Sequence, residues 1–539
     1  MLFRAQATPL PACALAALFT PALLAQPKID RLQNNYSYIL PGMPNYGIAQ
    51  GSIFDIFGSG LATATSALQS VPLPTTLSGT SVSVSVNGAT THAILYFVSA
   101  SQIAAILPSA TPTGSGQITV TVSGQTSAPA TITVVQSAFG LLTLNTVGNG
   151  PAAVFDVSSN YVGLTNAARP GDFITLWGSG LGPVTGDETV AQTPVSLTNI
   201  PIEVDIGGIR STIQYYGRSI YPGLDQINVV VPAGVSGCHV SVVVRSGDIV
   251  SNFATIPVAS SGRVCAEPLM SLTAGRIQAL LSQPAVTRGY LDFVDGIYGV
   301  DGAEADATFV RFTGAQYAAK QPFGAVSSND CTVYNFTNVN FGTPNPIKGT
   351  LLNAGVSVNV STPSGSGFGN FSMPFQDGGY SVSDLRNVNG SSFKGSYTFS
   401  GSGGPDIGAF NAQVNFPGGA SGFNYSTPNN ASNVPRSGGL PLTWTQPNNT
   451  DPGEFIQMYG FSFVPGSPWG AEFFCNATLA AGRFNIPSAV LLALPTTVST
   501  SAPGILEFDL VLNQTFTAPG VDAGIVNFTL GSAQPFSYQ

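Results

Sequence analysis

One internal repeat limits the folds open to this chain more than any other feature. Setting Gly51 on Gly171 lays GSIFDIFGSGL over GDFITLWGSGL. The same offset pairs Pro74 with Pro194, Leu77 with Leu197, Val84 with Val204, Gly88 with Gly208 and Tyr96 with Tyr216, without a gap. After Tyr216 the second copy carries extra residues around Arg218 to Tyr221, which are expected in a loop; the register then resumes with Gln102 on Gln226 and Pro108 on Pro232. Two copies of one text call for two copies of one structural unit.

Within each copy apolar residues alternate: Val82, Val84 and Val86, then Ile118, Val120 and Val122 in the first, and Ile202, Val204 and Ile206 in the second. A period of two with frequent turn signals describes half-buried antiparallel sheets, and two such sheets face to face make an immunoglobulin-like sandwich. Asn87-Gly88 and Gly207-Gly208 suit tight hairpins with positive φ. In the repeated Gly-Ser-Gly-Leu, Gly58 and Gly60, like Gly178 and Gly180, read as a structural turn that lets the chain leave a strand sharply, with Leu61 and Leu181 returning to the core.

The order of apolar strand, Gly-Ser-Gly-Leu, Pro, alternating strand with Asn-Gly, Gln-Ile, Pro and a final Val-rich strand resembles IPT/TIG-type immunoglobulin-like modules. It resembles more closely the tandem modules of uncharacterised secreted bacterial proteins. The resemblance covers about residues 45 to 260. It implies a sandwich fold and supplies no catalytic residues, since such modules serve as spacers, adhesins and enzyme accessories alike.

A chain of 539 residues exceeds one core. Its 62 Gly and 40 Pro, with only 8% charged residues, favour short strands and many turns. The expected fold class is mainly β: tandem sandwiches, then a C-terminal β-sandwich region of one or two subdomains, with one short helix in the connector. The expected boundaries are 1–25 signal peptide, 26–44 linker, 45–137 first module, 138–262 second module, 263–345 connector and 346–539 C-terminal region. The signal reading rests on Arg4, the apolar run from Leu10 to Leu24 and a cut after Ala25. No later apolar run is long enough to span a membrane.

Cleavage would remove Cys13 and leave Cys238, Cys265, Cys331 and Cys475. An even count in an exported chain suggests two disulfides with three pairings open. The favoured arrangement is Cys238 with Cys265 and Cys331 with Cys475, because the first pair is close in sequence and would staple one domain end to the next segment. A net charge of -9 without a basic cluster argues against nucleic-acid partners.

Past Cys265 the text SLTAGRIQALLSQ places Leu272, Ile277, Leu280 and Leu281 near helical spacing, with Ser271 or Thr273 as cap and Pro284 as limit. Strand-like strings follow, among them GSYTFSG, FNAQVNF and GILEFDLVLN. Catalytic material is sparse. His92 and His239 are the only histidines and read as surface or strand-edge residues; no GxSxG, GxxxxGK[ST] or HExxH occurs. The acidic stretch Asp292, Asp295, Asp301, Glu304 and Asp306 is either a solvated loop or a calcium site, with Asp295, Asp301 and Asp306 as ligands. The same cluster, or Asp377, Asp406 and Glu454, would supply the two carboxylates of a glycosidase. Trp444 and Trp469, with Tyr459 or Tyr425, would form a sugar-stacking platform if exposed.

These readings converge on a non-enzymatic secreted or cell-surface protein, a spacer, adhesive or ligand-binding scaffold without cofactors other than calcium. Its expected partner is an extracellular polymer or cell surface. The rival expectation is an extracellular carbohydrate-binding or carbohydrate-cleaving protein that uses its C-terminal half. An outer-membrane barrel is a third class, disfavoured by the repeat.

Overall fold

The computed structural model describes residues 26–295, 303–319, 325–337, 349–366, 368–385, 395–416, 425–426, 433–445, 453–497, 504–531 and 533–539. The protein is mainly β. Each repeat folds as two sheets over a core of its own, five and seven strands in the first copy and six and five in the second. Alternation works as read: Val82, Val84 and Val86 are buried on Thr80–Val86, while Ser81, Ser83 and Ser85 face outward. That burial, about 1.5–3 kcal/mol for each fully buried valine or leucine, holds the two sheets together.

The two glycines of each Gly-Ser-Gly-Leu differ in role. Gly60 and Gly180 have φ of 64° and 107°, a region that disfavours any other residue. Gly58 and Gly178 are needed for close approach, since a Cβ there would meet the Lys28 oxygen at 1.9 Å or the Gly140 oxygen at 2.2 Å. Only the second glycine of each pair therefore serves the turn.

Two expected boundaries and one expected loop change. Residues 26–44 are more than a linker, because Lys28–Asn34 pairs antiparallel with Ile53–Ser59 and completes a sheet of the first sandwich. The extra residues of the second copy do not simply loop out: Arg218 ends the strand Thr212–Arg218 at 2% exposure, and Gly223 packs against Ile53 and Ile106 of the first sandwich. The insertion is thus part of the joint between the two copies.

The connector 263–345 is the third change. It contains the expected helix, Ala274–Leu281, capped by the Thr273 side chain on the Arg276 amide. It also contributes Ala285–Asp295, Ala303–Thr313 and Asp330–Thr337 to a fifteen-stranded sheet. Ala285–Asp295 lies parallel to Ala523–Leu530, whose other side pairs with Gly504–Phe516. The C-terminal body needs that early strand to cover an otherwise open edge. One hydrophobic cluster runs through the body, joining Phe293, Phe309, Phe399, Phe473, Phe508 and Phe528.

Both disulfides have the favoured pairing, Cys238–Cys265 and Cys331–Cys475. Among the described residues no helix is long and apolar enough to cross a membrane.

Two buried acids join the second sandwich to the C-terminal body. Asp330 accepts from the Ser241 amide and hydroxyl, each at 2.6 Å. Glu267 accepts from the Cys238 amide at 3.1 Å and the Ser327 hydroxyl at 2.9 Å. Burial raises Asp330 from 3.8 to about 6 and Glu267 from 4.5 to about 7. An acid whose folded value is raised adds stability that is complete below its unfolded value and lost as pH climbs through the folded one. These two should therefore weaken the joint between about pH 4 and pH 7. His239, lowered to about 4 mainly by burial, acts oppositely between about pH 6.5 and pH 4. Glu267→Gln should raise the melting temperature by several degrees at pH 8 and leave it nearly unchanged at pH 4, because each pH unit between the folded and unfolded values of an acid is worth about 1.4 kcal/mol. Thermal melts of both proteins across that range check it; equal curves at pH 8 would refute it.

Candidate functional site

The strand Gly504–Phe516 reads GILEFDLVLNQTF, and its alternation sends Leu506, Phe508, Leu510 and Leu512 into the core. Glu507, Asp509, Val511 and Asn513 consequently face the other side of the sheet. Across the neighbouring strands Asn513 is opposite Asn527, Asn527 opposite Asp292, and Asp292 opposite Asp306. A second polar row places Asp509 opposite Gln457 and Gln457 opposite Asn476. Val511 and Phe455 lie between the rows.

Leu269, Met270 and Val326 form the opposite wall and enclose a cavity of about 460 Å³, within the range of small-molecule sites. Tyr290, Phe455 and Phe474 supply its aromatic lining. Asn527 Nδ2 donates to Asp292 Oδ1 at 2.5 Å, Asn513 Nδ2 to the Leu269 carbonyl at 2.8 Å, and Asn476 Nδ2 to the Val326 carbonyl at 2.9 Å. The Oδ1 atoms of Asn513 and Asn527 have no hydrogen-bond partner among the described residues. Burial raises the carboxyls of both Asp292 and Asp306, and the charge of Asp292 raises Asp306 further. Two acids placed side by side in this way resist being ionised together.

Of the residues singled out from sequence, Asp292 and Asp306 are brought together. Asp301 and the side chains of Asp295 and Tyr425 lie outside the described residues. Glu304 is exposed. No group of three or more His, Cys, Asp or Glu suited to a metal occurs among the described residues. Asp377 sits in a turn between two strands, and Asp406 accepts from the Asn353 amide. Glu454 points to the sheet face opposite that of Phe455, so these three build no common site.

The aromatic platform needs correcting. Trp444 is 7% exposed, stacks near Phe508 and donates its indole N–H to the Leu479 carbonyl, so it is a core residue with no face for a ligand. Trp469 is half-buried and donates to the Pro41 carbonyl at 2.8 Å, tying the N-terminal segment to the C-terminal body. Tyr459 is buried with its hydroxyl on Glu472. His239 is buried as well, contrary to the strand-edge expectation, because the C-terminal body covers its strand. Asn513, Asn527 and Gln457 were not singled out from sequence; for Asn513 the alternation in LEFDLVLN was the available signal.

A second cavity of about 310 Å³ lies where both sandwiches meet the C-terminal body, lined by Arg31, Asn45, Asn149, Asn252 and Asn335. Among the described residues its wall holds no carboxylate.

No curated protein matches the chain. Solved structures similar to parts of it include the plexin A4 extracellular region, at 13% identity and TM-score 0.14, covering 42% of this chain and 18% of that one. A structural genomics protein of unknown function from Bacteroides thetaiotaomicron is 10% identical with TM-score 0.15, over 54% and 58% of the two chains. SGBP-B from a xyloglucan utilization locus of Bacteroides uniformis is 12% identical with TM-score 0.16, over 68% and 89%. This chain spans less than two thirds of the length of the first two. Residues 43–134, the greater part of the first sandwich, match the IPT/TIG domain family.

Proposed function

We propose that the protein is an extracellular, non-enzymatic binding scaffold. In this reading the two sandwiches space and orient a C-terminal body whose polar sheet face takes a neutral hydroxylated ligand, carbohydrate being the class that fits. The observation that carries it is the lining of that cavity, where Gln457, Asn476, Asn513, Asn527 and Asp292 stand beside three aromatic rings. Amide and carboxyl groups beside apolar rings suit a ligand that presents hydroxyls around an apolar body.

The cleaving alternative uses Asp292 and Asp306. Glycosidase carboxyls flank the scissile bond roughly 5–9.5 Å apart, and one stays ionised while the other is protonated. Asp292 lines the cavity but its strand partner Asp306 is not among the described lining residues, so the two do not flank a sugar held there. Support therefore lies with binding.

Titration of the full chain with xylohexaose, cellohexaose and laminarihexaose, with reducing-sugar release followed in parallel, tests this reading. Gln457→Ala should weaken binding about tenfold, the loss of roughly 1.4 kcal/mol, without moving the melting temperature. Sugar release would overturn the non-enzymatic reading, and no binding to any probe would favour a pure spacer. Calcium at Asp295, Asp301 and Asp306 remains part of the proposal: a calcium-dependent rise in melting temperature that Asp306→Asn removes is its expected sign.

A further inference from the structure

Among the described residues, Arg288 is a buried cation with no counter-charge in contact. It lies on Ala285–Asp295 at 2% exposure, and its Nη1 donates to the Tyr317 hydroxyl at 3.1 Å. Its Nε and Nη2 have no hydrogen-bond partner among the described residues. The guanidinium carbon lies 4.9 Å from the Tyr290 ring centroid and 5.8 Å from that of Tyr317. Ring faces attract a cation by about 0.5–2 kcal/mol each, short of the several kcal/mol that an unpaired buried charge costs.

Beside this guanidinium is a cavity of about 30 Å³, lined by Arg288, His239, Tyr290 and Tyr317 and by apolar groups such as Leu272 and Ile277. Among the described residues no carboxylate lines it. His239 is bonded to its surroundings through its main chain. Burial and the charge of Arg288 lower its basicity to about 4, so the ring is neutral and carries one N–H. The Tyr317 oxygen accepts from Arg288, which leaves its own O–H to donate. The polar groups around the space are therefore overwhelmingly donors. The volume exceeds what one water needs, so the space admits a compact ion.

We propose that this cavity binds one small monovalent anion of halide size, which neutralises Arg288 and locks the second sandwich, through His239, to the C-terminal body. The site is separate from the sheet-face cavity, although Tyr290 and Met270 border both.

Thermal melts of the full chain at equal ionic strength in sodium chloride and in sodium gluconate, whose anion is too large to enter, test the proposal. Chloride should raise the melting temperature by several degrees over gluconate. Arg288→Met should melt alike in both salts. Crystals soaked in sodium bromide should show an anomalous peak beside Arg288, a readout that does not depend on whether the variant folds. Equal melts of the natural protein in the two salts, a chloride effect that survives in Arg288→Met, or a cavity without bromide would each overturn it.

Discussion

Asp225→Ala is expected to destabilise the second sandwich by about 3–5 kcal/mol, the usual cost of removing one partner from a buried ion pair. Asp225 is fully buried, and its Oδ2 accepts from the Gly180 amide at 2.7 Å and the Leu181 amide at 2.8 Å. Its Oδ1 accepts from Arg218 Nε at 2.7 Å. The carboxylate thus holds the Gly-Ser-Gly-Leu turn closed and neutralises an arginine the core has enclosed. Without it, Arg218 keeps, among the described residues, Glu188 as its one counter-charge at 3.8 Å and a hydrogen bond to the Gly182 carbonyl at 3.3 Å, and two turn amides lose their acceptor. Glu188 also accepts from the Ser109 amide and hydroxyl in the first sandwich, so the loss should spread across the joint. Chemical denaturation of the full chain checks the size of the effect. Pairing Asp225→Leu with Arg218→Met should restore much of the stability, because apolar replacement of a whole buried pair is often neutral. A double variant no better than Asp225→Ala would show that the turn amides, and not the stranded charge, carry the cost.

The same turn shows how far the sequence could be read. Its recurrence after Phe57 and Trp177 identified a structural element in two like modules, and alternation identified the valines of each core. The text alone could not show that the copies are used differently. Ser59 is exposed, whereas Ser179 is fully buried, accepting from the Ile53 amide of the first sandwich at 2.8 Å and donating to the Gly223 carbonyl at 2.6 Å. That difference arises from the inserted residues between Arg218 and Gly223, which have meaning only once a neighbouring module packs on them.

The candidate site was legible by the same half. Alternation in LEFDLVLN separates a polar face from an apolar one, and the acidic stretch announced Asp292 and Asp306. Alternation normally marks the polar face as solvated. Here Leu269, Met270 and Val326 cover it, and these residues come from segments whose place depends on long-range pairing. Trp444 failed as a ligand residue for the complementary reason: an aromatic in strand text carries no sign of which face the assembled sheet will bury.

Replacing both Cys331 and Cys475 with alanine should remove the largest single restraint on the C-terminal body. The bridge closes a segment with a sequence separation of 144, and the chain-entropy relation assigns such a loop roughly 5 kcal/mol. It assigns about 3.5 kcal/mol to Cys238–Cys265, whose separation is 27. The two cysteines face each other on Asp330–Thr337 and Trp469–Thr478, where the former is the end strand of the large sheet's main path. An end strand has hydrogen-bonded neighbours on one side only, and this one also presents Asp330 to Ser241 of the second sandwich. Losing the bridge should therefore lower the melting temperature by roughly 10 °C or more and loosen the joint with it. Asn476, adjacent to Cys475, lines the sheet-face cavity and donates to Val326 on the opposite wall, so affinity for any ligand held there should fall as well. The paired control is Cys238→Ala with Cys265→Ala, which should cost less and leave binding at the sheet face intact. If the two double variants melt alike, loop length does not govern the effect, and local strain or residual structure in the unfolded chain must.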